Sequence, residues 1–444
     1  MTAPDLLAVA VVLGAAVVLL GLLGLCRRFA IGSEVMRKLA HIGTGLLAML
    51  FPWLFSSAEP VFIICGVALL LLIAVSVIPA MRVRLGASLY SVDRESHGEF
   101  YFPIAVAILF FLARGDKLFY LIPLLVLTLA DAVAAVLGSA YGKMPYEGMG
   151  AKKSVEGSVA FFIVAFFAVH VPLLLFSDLG RPQTLFIALD IALVVTLLEA
   201  VSWRGLDNLI IPLGGLLLLH IYTALPVRAL VFRFVAALVL VVFVLLYRSR
   251  TTLQPTALIA SALVLYASWG VGGWRWFVAP ALLFACYTLF LPDSARFAAH
   301  KDTVYAVASV SSAGLLWLWL AKISGDQALI FPFTAAYTVH FAILGWTLNV
   351  LRDPNQRVWK HGPILVIECW VLMFAPYVWI EGSTPAAATR AVIALFVCAA
   401  AFALFCLLEP RRENIYSDHG MRWLREAVLV LVSTAPLVLL KGTP

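Results

Sequence analysis

Polar residues near the start of the chain recur at the spacing of one helix face. The four positions, i, i+3, i+4 and i+7, are Glu34, Arg37, Lys38 and His41. On a helix this spacing places all four side chains on the same side. A positively charged anchor at a membrane surface would explain Arg37 and Lys38, but not His41 below them or Glu34 above them. We therefore expect this face to have a functional role.

Asp131 is a single carboxylate inside a long apolar stretch, and small residues surround it. A charge buried in a membrane costs about 3 kcal/mol or more unless it is paired or binds an ion. The small neighbours would let a backbone or a phosphate group approach closely. We expect Asp131 to bind a metal, and the alternative is a structural ion pair with Arg37 or Lys38.

The segment 150–158 combines two adjacent lysines with a hydroxyl, a carboxylate and glycines just before a helix. Its candidate residues are Lys152, Lys153, Ser154, Glu156 and Gly157. Lysines and helix N-terminal amides suit phosphate oxygens, and a carboxylate suits Mg²⁺. The pattern is not a Walker A loop. The alternative is a basic loop in which Ser154 caps the helix.

Two more polar segments complete the set. Asp207 and Asn208 stand at a helix start, where they act either as caps or as oxygen ligands of a metal or nucleotide site. Glu199, just before them, is a weaker candidate. The stretch 94–99 mixes Arg, His and two Glu before a short apolar segment, which fits either a site or a solvated loop.

Together these segments contain the parts of a phosphoryl-transfer site: basic residues, carboxylates for Mg²⁺ and groups that could polarise an acceptor hydroxyl. The residues alone are compatible with a lipid kinase, a nucleotidyltransferase or an anion transporter. No H-E-x-x-H pattern and no Ser-His-Asp order occurs in the chain.

Composition sets the architecture that must position these residues. Of the 444 residues, 63% are hydrophobic and only 12% are charged, which excludes a water-soluble domain. The apolar runs are continuous, which excludes a transmembrane barrel with alternating residues. The sequence therefore predicts an all-α, polytopic transmembrane helical bundle of about sixteen spans, within a range of about 14 to 16.

Basic residues predict the orientation of the bundle. The first apolar segment is followed by Arg27 and Arg28, which indicates an N-terminus outside. The four polar segments then share the cytoplasmic side, where a lipid could enter sideways from the inner leaflet. The net charge of +7 reflects basic loops, so we expect no nucleic-acid partner. We expect an integral protein of a bacterial-type plasma membrane with its active site on the cytoplasmic face.

Four motifs occur in order in the first half of the chain. They are Arg37-Lys38-x-x-His41, Asp131-Ala-x-Ala, Lys152-Lys153-Ser-x-Glu156-Gly157-Ser and Leu206-Asp207-Asn208-x-x-x-Pro212. Together with His97-Gly98-Glu99, they resemble the dolichol kinase/phytol kinase family of membrane enzymes over about residues 30–225. One motif alone would be weak, whereas the ordered set is fairly specific.

The resemblance implies phosphorylation of a long-chain, usually isoprenoid, alcohol such as phytol, geranylgeraniol or a polyprenol. It implies CTP as the nucleotide donor and Mg²⁺ or another divalent cation. Transferred to this sequence, the resemblance implies that the metal-binding carboxylates are Asp131, Glu156 and Asp207. It implies that the residues contacting the nucleotide are Lys152, Lys153, Ser154, Gly157 and Asn208. The catalytic residues are Asp131, Arg37, Lys38 and His41, with His41 or Asp131 as the base.

Three alternatives remain open. The same likeness extends to phosphatidate cytidylyltransferases and to CTP-dependent diacylglycerol kinases. An ion-coupled transporter would use the same acids as cation sites, but its substrate groups should lie near mid-membrane rather than crowd one face. A scaffold protein is the third alternative.

The second half departs from the family. We expect a kinase domain over 1–247 and an additional helical membrane domain over 248–444. The stretch 261–291 faintly resembles the phytyl-phosphate kinase-type membrane family, but that family's acidic signature is replaced by FPFTAAYTVHFAILGW, without a carboxylate. A second active kinase site is therefore not expected, and the domain would supply a lipid cavity, an interaction surface or a degenerate partner module.

Overall fold

A computed structural model describes most of the chain. The described residues are 3–26, 33–78, 97–148, 151–248, 251, 253–289, 303–353, 357–409 and 420–440. The chain divides into two compact units, Met1–Leu238 (unit 1) and Val239–Pro444 (unit 2), and each is described by itself. The predicted segments 27–32 and 91–96, with Arg27, Arg28 and Arg94, lie outside the described residues.

Unit 1 is built from helices and one short hairpin. The helices are α1 (Ala3–Cys26), α2 (Ser33–Met49), α3 (Phe51–Leu54), α4 (Ala58–Val77), α5 (Gly98–Leu112), α6 (Lys117–Tyr141), α7 (Val155–Phe176), α8 (Arg181–Val201) and α9 (Asp207–Thr223). Strands β1 (Pro145–Gly148) and β2 (Ala151–Ser154) pair antiparallel between α6 and α7. Helix α10 (Val227–Tyr247) contains the division between the units.

Unit 2 consists of helices. They are α11 (Pro255–Gly272), α12 (Trp274–Leu289), α13 (Val304–Ser324), α14 (Ile330–Arg352), α15 (Val358–Ile380), α16 (Pro385–Leu408) and α17 (Gly420–Thr434), with 3₁₀ turns at Gln327–Leu329 and Ala435–Leu440. Helix α14 lies at the centre, and its buried aromatic residues, such as Phe331, Phe333 and Tyr337, join the core of this unit.

The prediction of an all-α polytopic membrane bundle is confirmed. Within the described residues, twelve helices are long and apolar enough to cross a membrane, and two shorter apolar helices are Gly98–Leu112 and Asp207–Thr223. Within the described residues, each of the sixteen predicted spans overlaps helix. The number that cross the membrane and the side of the N-terminus stay predictions.

The core of unit 1 brings the polar segments together. Helices α6, α7, α8 and α9 share one apolar cluster, which includes Leu127, Phe161, Ile191 and Ile211. Each of these four side chains is buried almost completely. Large apolar residues such as Leu70 and Phe176 remain exposed on the outside, as expected where a helix faces lipid. Packing of the four helices therefore positions the residues at their polar ends.

Candidate active site

Helix α6 changes its hydrogen bonding immediately before Asp131. Residues Val126–Ala130 form a π-helical turn, and ordinary α-helix resumes at Asp131. Helix α2 packs directly against this turn, because a Cβ atom at Gly45 would collide with the side chain of Thr128. π-Turns inside α-helices are frequent at functional sites. The turn and Gly45 together bring the polar face of α2 to Asp131.

Lys38 and Asp131 form a buried ion pair. The Lys38 Nζ donates to Asp131 Oδ2 over 2.6 Å, and both residues are buried. The His41 Nε2 lies 3.7 Å from the same carboxylate oxygen and 3.4 Å from the Leu127 carbonyl oxygen. The structure thus contains the ion pair considered as the alternative for Asp131, with His41 beside it.

Arg37 belongs to the same surroundings. It interacts electrostatically with Asp131 and with Glu99 at the start of α5. The Phe102 ring packs edge-on against the His41 ring, with 5.3 Å between the ring centroids. Arg37, Lys38 and His41 therefore share one environment, as the helix spacing predicts. The side chain of Glu34 lies outside the described residues.

A second lysine–carboxylate pair joins the hairpin to α8. The Lys153 Nζ lies 2.9 Å from Glu199 Oε1. It also donates to the Glu199 backbone carbonyl oxygen and, over 3.2 Å, to Ser202 Oγ. A lysine at the carboxyl end of a helix satisfies its last carbonyl groups and complements its dipole. The hairpin therefore positions Lys153 at the carboxyl end of α8.

Glu199 connects the two ion pairs. It interacts electrostatically with both Asp131 and Asp207, and Asp207 interacts in the same way with His41. Three carboxylates in mutual electrostatic range repel one another unless cations compensate them. Lys38 and Lys153 supply part of that compensation. The two pairs and Asp207 therefore form one site.

Glu156 takes a different position from the one predicted. Its carboxylate accepts the Met144 backbone N–H over 3.2 Å and 3.3 Å, at the foot of the hairpin. Among the described interactions, Glu199 and not Glu156 is the glutamate in electrostatic range of Asp131 and Asp207. The predicted metal role of Glu156 stays a prediction without a contact to support it.

Ser154 and Gly157 serve the packing of α7 in this structure. The Ser154 Oγ accepts the Gly157 backbone N–H over 3.2 Å, which is the cap considered as the alternative. A Cβ atom at Gly157 would lie 3.1 Å from the Ala134 carbonyl oxygen and 3.3 Å from the Gly138 Cα. The glycines thus let α6 and α7 approach closely. Phosphate contacts of Ser154 and Gly157 stay predictions.

Asn208 joins the first turns of α9 and α5. Its Nδ2 donates to the Gly98 carbonyl oxygen over 2.9 Å, and its backbone N–H donates to Asp207 Oδ1 over 3.1 Å. The His97 backbone N–H donates to the Arg204 carbonyl oxygen nearby. These bonds hold Asp207 at the site, and a nucleotide contact of Asn208 stays a prediction.

The hairpin itself was not predicted. Its register pairs Tyr146 with Lys153 and Glu147 with Lys152, although the side chain of Lys152 lies outside what the structure describes. The Tyr146 hydroxyl shares a hydrogen bond of 2.8 Å with Ser158 Oγ. Burial raises the pKa of the Tyr146 phenol, and the nearby Glu199 carboxylate raises it further. Tyr146 therefore places an uncharged aromatic side chain opposite Lys153 in the hairpin.

The donor set suits a divalent cation that also binds phosphate. Within the described residues, no group of three or more His, Cys, Asp or Glu is arranged to hold a metal by itself. Mg²⁺ commonly takes only one or two carboxylates and completes its shell with phosphate oxygens and water. Lys38 contacts Asp131 Oδ2 and Lys153 contacts Glu199 Oε1. In each carboxylate the other oxygen takes no part in the ion pair and could therefore bind a cation.

The fold and this site define a polytopic helical membrane protein with a buried group of acids and bases. Phytol kinase of Synechocystis sp. (strain ATCC 27184 / PCC 6803 / Kazusa) is 33% identical to the chain over 192 residues. The match covers 42% of this chain and 78% of that protein. No family model and no solved structure matches the chain.

The chain therefore belongs to the phytol/dolichol kinase-like family over the matched segment. This confirms the resemblance drawn from the four motifs. At the level of the family, the chain is a membrane lipid kinase, a phosphotransferase built into a helical bundle.

Proposed function

We propose that the chain transfers the terminal phosphate of CTP to the hydroxyl of a long-chain isoprenoid alcohol such as phytol. The proposal rests on one observation above all, the convergence of the Lys38–Asp131 and Lys153–Glu199 pairs with Asp207 in a single site. Phosphoryl transfer needs chiefly positioning and charge compensation, and this set of residues offers both.

The reaction forms a bond between the alcohol oxygen and the terminal phosphorus, and it breaks the bond to the bridging oxygen of CTP. CDP leaves, and the hydroxyl proton passes to a base. His41 fits that role, because Lys38 engages Asp131 Oδ2 at 2.6 Å. Two oxygens face the His41 Nε2, so we place the proton of the neutral ring there and leave Nδ1 to accept.

The basic residues would bind the donor. Lys153 and Arg37 would compensate phosphate charge, and Tyr146 would limit access of water to Lys153. Asp131, with Glu199 or Asp207 as a second carboxylate, would hold Mg²⁺ together with the phosphate oxygens of the donor, and the bound ion would neutralise charge on those oxygens. We infer that Glu199, rather than Glu156, is the second acid, because the electrostatic interactions described for Glu199 include Asp131 and Asp207, whereas those described for Glu156 do not.

The test offers the purified full chain, in lipid nanodiscs, to labelled nucleotides and lipid acceptors. The donors are CTP and ATP, and the acceptors are phytol, geranylgeraniol, a polyprenol and diacylglycerol. We expect the label of γ-³²P-CTP in the extracted isoprenoid alcohol. Asp131→Asn should abolish the transfer, whereas the matched change Asp178→Asn, at an exposed carboxylate, should not.

Two results would contradict the proposal. Transfer of label from α-³²P-CTP to a phosphatidate would make the chain a cytidylyltransferase. A preference for diacylglycerol over every isoprenoid alcohol would make it a diacylglycerol kinase. If no lipid is labelled and a solute is taken up with an ion gradient, the transporter alternative replaces the kinase.

A further inference from the structure

The starts of helices α5 and α9 are bonded to each other beside the candidate site. The Asn208 Nδ2 donates to the Gly98 carbonyl oxygen over 2.9 Å, and Asn208 is buried. The His97 backbone N–H donates to the Arg204 carbonyl oxygen, also over 2.9 Å. We call these two hydrogen bonds the clamp. Because each bond joins one helix start to the other, the clamp fixes the position of α9 relative to α5.

The clamp leaves no space for a larger residue at position 98. A Cβ atom at Gly98 would lie 2.6 Å from the Asn208 Nδ2 and 3.3 Å from the Gly205 Cα. The first distance is shorter than atoms that are not bonded allow, so any other residue would push the amide away. Glycine at 98 therefore permits the close approach on which the Asn208 bond depends.

The turn before α9 has an uncommon backbone conformation. Arg204 has a φ of 48°, and Gly205 has a φ of 82°. A positive φ is uncommon for a residue other than glycine, and it persists only where the surrounding structure holds it. The bond from His97 holds the Arg204 carbonyl group. Such strained positions cluster at active sites, where they fix a geometry that the chain would not otherwise adopt.

Both clamped helices carry neighbours of the polar face of α2. Helix α5 carries Phe102, whose ring packs against the His41 ring, and Glu99, which interacts electrostatically with Arg37. Helix α9 carries Asp207, which interacts electrostatically with His41. The aromatic neighbour of His41 and one of its acidic neighbours therefore come from the two helices that the clamp joins.

Asn208 connects the clamp directly to the Asp207 carboxylate. Its backbone N–H lies 3.1 Å from Asp207 Oδ1 and 3.1 Å from the Gly205 carbonyl oxygen. The same residue thus contacts α5 through its side chain and the Asp207 carboxylate through its backbone. A displacement of the Asn208 amide should therefore also displace the Asp207 carboxylate.

We propose that Asn208 is a positioning residue of the transfer reaction and not a contact of the nucleotide. Through the clamp it fixes the Asp207 carboxylate relative to His41 and Phe102. This inference rests on the proposed function. A misplacement of about 1 Å in an active site can lower a rate roughly 100-fold. Loss of a nucleotide contact would instead weaken nucleotide binding.

The experiment measures single variants of the full chain in nanodiscs with γ-³²P-CTP and phytol. Asn208→Ala should lower kcat roughly 10- to 100-fold, because the groups around His41 are misplaced. KM and the dissociation constant for CTP should stay within about twofold of the wild-type values. A rise of KM by about tenfold or more at unchanged kcat would make Asn208 a nucleotide contact and overturn the proposal.

The matched control is a second amide at the other end of α9. The Gln183 Nε2 donates to the Thr223 carbonyl oxygen over 3.3 Å and to the Leu225 carbonyl oxygen over 3.0 Å, which ties the end of α9 to the start of α8. Gln183→Ala also removes a bond between a side-chain amide and the backbone, but away from the site, so kcat should be preserved. An equal loss of kcat in both variants would reduce Asn208 to a general structural role.

Gly98→Ala tests the clamp from the other helix. It should lower kcat by a similar factor, because its Cβ atom displaces the Asn208 amide. Combined with Asn208→Ala, it should be no slower than the slower single variant, since both changes break one contact. Losses that multiply would show two independent effects and would contradict the proposal. Melting temperature and monodispersity establish folding, and Gly98→Ala carries the test if Asn208→Ala does not fold.

Amide hydrogen exchange tests the clamp without turnover. Exchange over 97–102 and 203–209 should be faster in Asn208→Ala than in wild type, and unchanged there in Gln183→Ala. If wild type phosphorylates no alcohol, the proposed function fails and the positioning role fails with it, while exchange still decides whether the clamp exists. If wild type phosphorylates phytol and Asn208→Ala keeps its kcat, the positioning role fails and the kinase stands.

Discussion

Polar groups are buried differently at the candidate site of unit 1 and at the centre of α14 in unit 2. At the candidate site the groups are charged and paired: Lys38 with Asp131 and Lys153 with Glu199. At the centre of α14 the completely buried polar side chains, such as Tyr337 and His340, are uncharged and lie among the apolar residues of one core cluster. Paired charges brought together from separate segments suit a reaction, whereas uncharged polar groups isolated in an apolar core do not.

The largest effect is expected from Asp131→Asn. It should lower turnover roughly 10²- to 10³-fold, because charge compensation at the phosphate is lost. It should also destabilise the protein by about 3 to 5 kcal/mol, because Lys38 stays buried without its counter-charge. Labelled-lipid turnover and chemical unfolding in detergent measure the two effects.

A double variant separates catalysis from stability. Lys38→Met combined with Asp131→Leu removes both charges, so stability should return close to the wild-type value. Activity should stay as low as in Asp131→Asn. Recovery of turnover in the double variant would show that the pair is only structural.

His41→Gln should lower kcat roughly 100-fold, the usual contribution of a general base. The wild-type rate should fall at acidic pH as the base becomes protonated, and the variant should lack this limb of the pH profile. If the rate of His41→Gln still falls at acidic pH, His41 is not the base and Asp131 takes that role.

Lys153→Met should act mainly on nucleotide binding. We expect KM for the nucleotide to rise roughly 10- to 100-fold, as for loss of a hydrogen bond to a charged group. Lys143→Met, which removes an exposed lysine before the hairpin, is the matched control and should leave KM unchanged. An equal rise in KM for both variants would show that Lys153 contributes only general positive charge and not a specific contact.

The smallest effect is expected in unit 2. His340 is completely buried, and neither ring nitrogen has a hydrogen-bond partner in the described structure. His340→Leu should therefore leave turnover within about twofold and leave stability unchanged or higher, because a buried unpaired polar group is removed. A large loss of turnover would show that the reaction depends on unit 2 as well.

Much of the architecture could be predicted because it depends on local patterns. Apolar runs predicted sixteen spans, each of which overlaps helix in the described residues, and the i, i+3, i+4, i+7 spacing placed Arg37, Lys38 and His41 in one environment. Asp131 was identified because an isolated acid inside an apolar span needs a partner.

What the sequence did not reveal depends on distant contacts. Glu199 was only a weaker candidate in the sequence, and its proposed role follows from its pairing with Lys153, which lies 46 positions away. The hairpin has strands of only four residues each, which is too short for a periodic signal. The π-helical turn before Asp131 has no local sequence pattern that predicts it.

The central claim is that the two lysine–carboxylate pairs form one phosphoryl-transfer site. A double-mutant cycle on single-turnover transfer of the γ-phosphate from CTP to phytol tests it, using Asp131→Asn, Glu199→Gln and both together. For residues that act as a unit, the double variant should be no slower than the slower single variant. Losses that multiply would show that Asp131 and Glu199 act independently and would contradict the account.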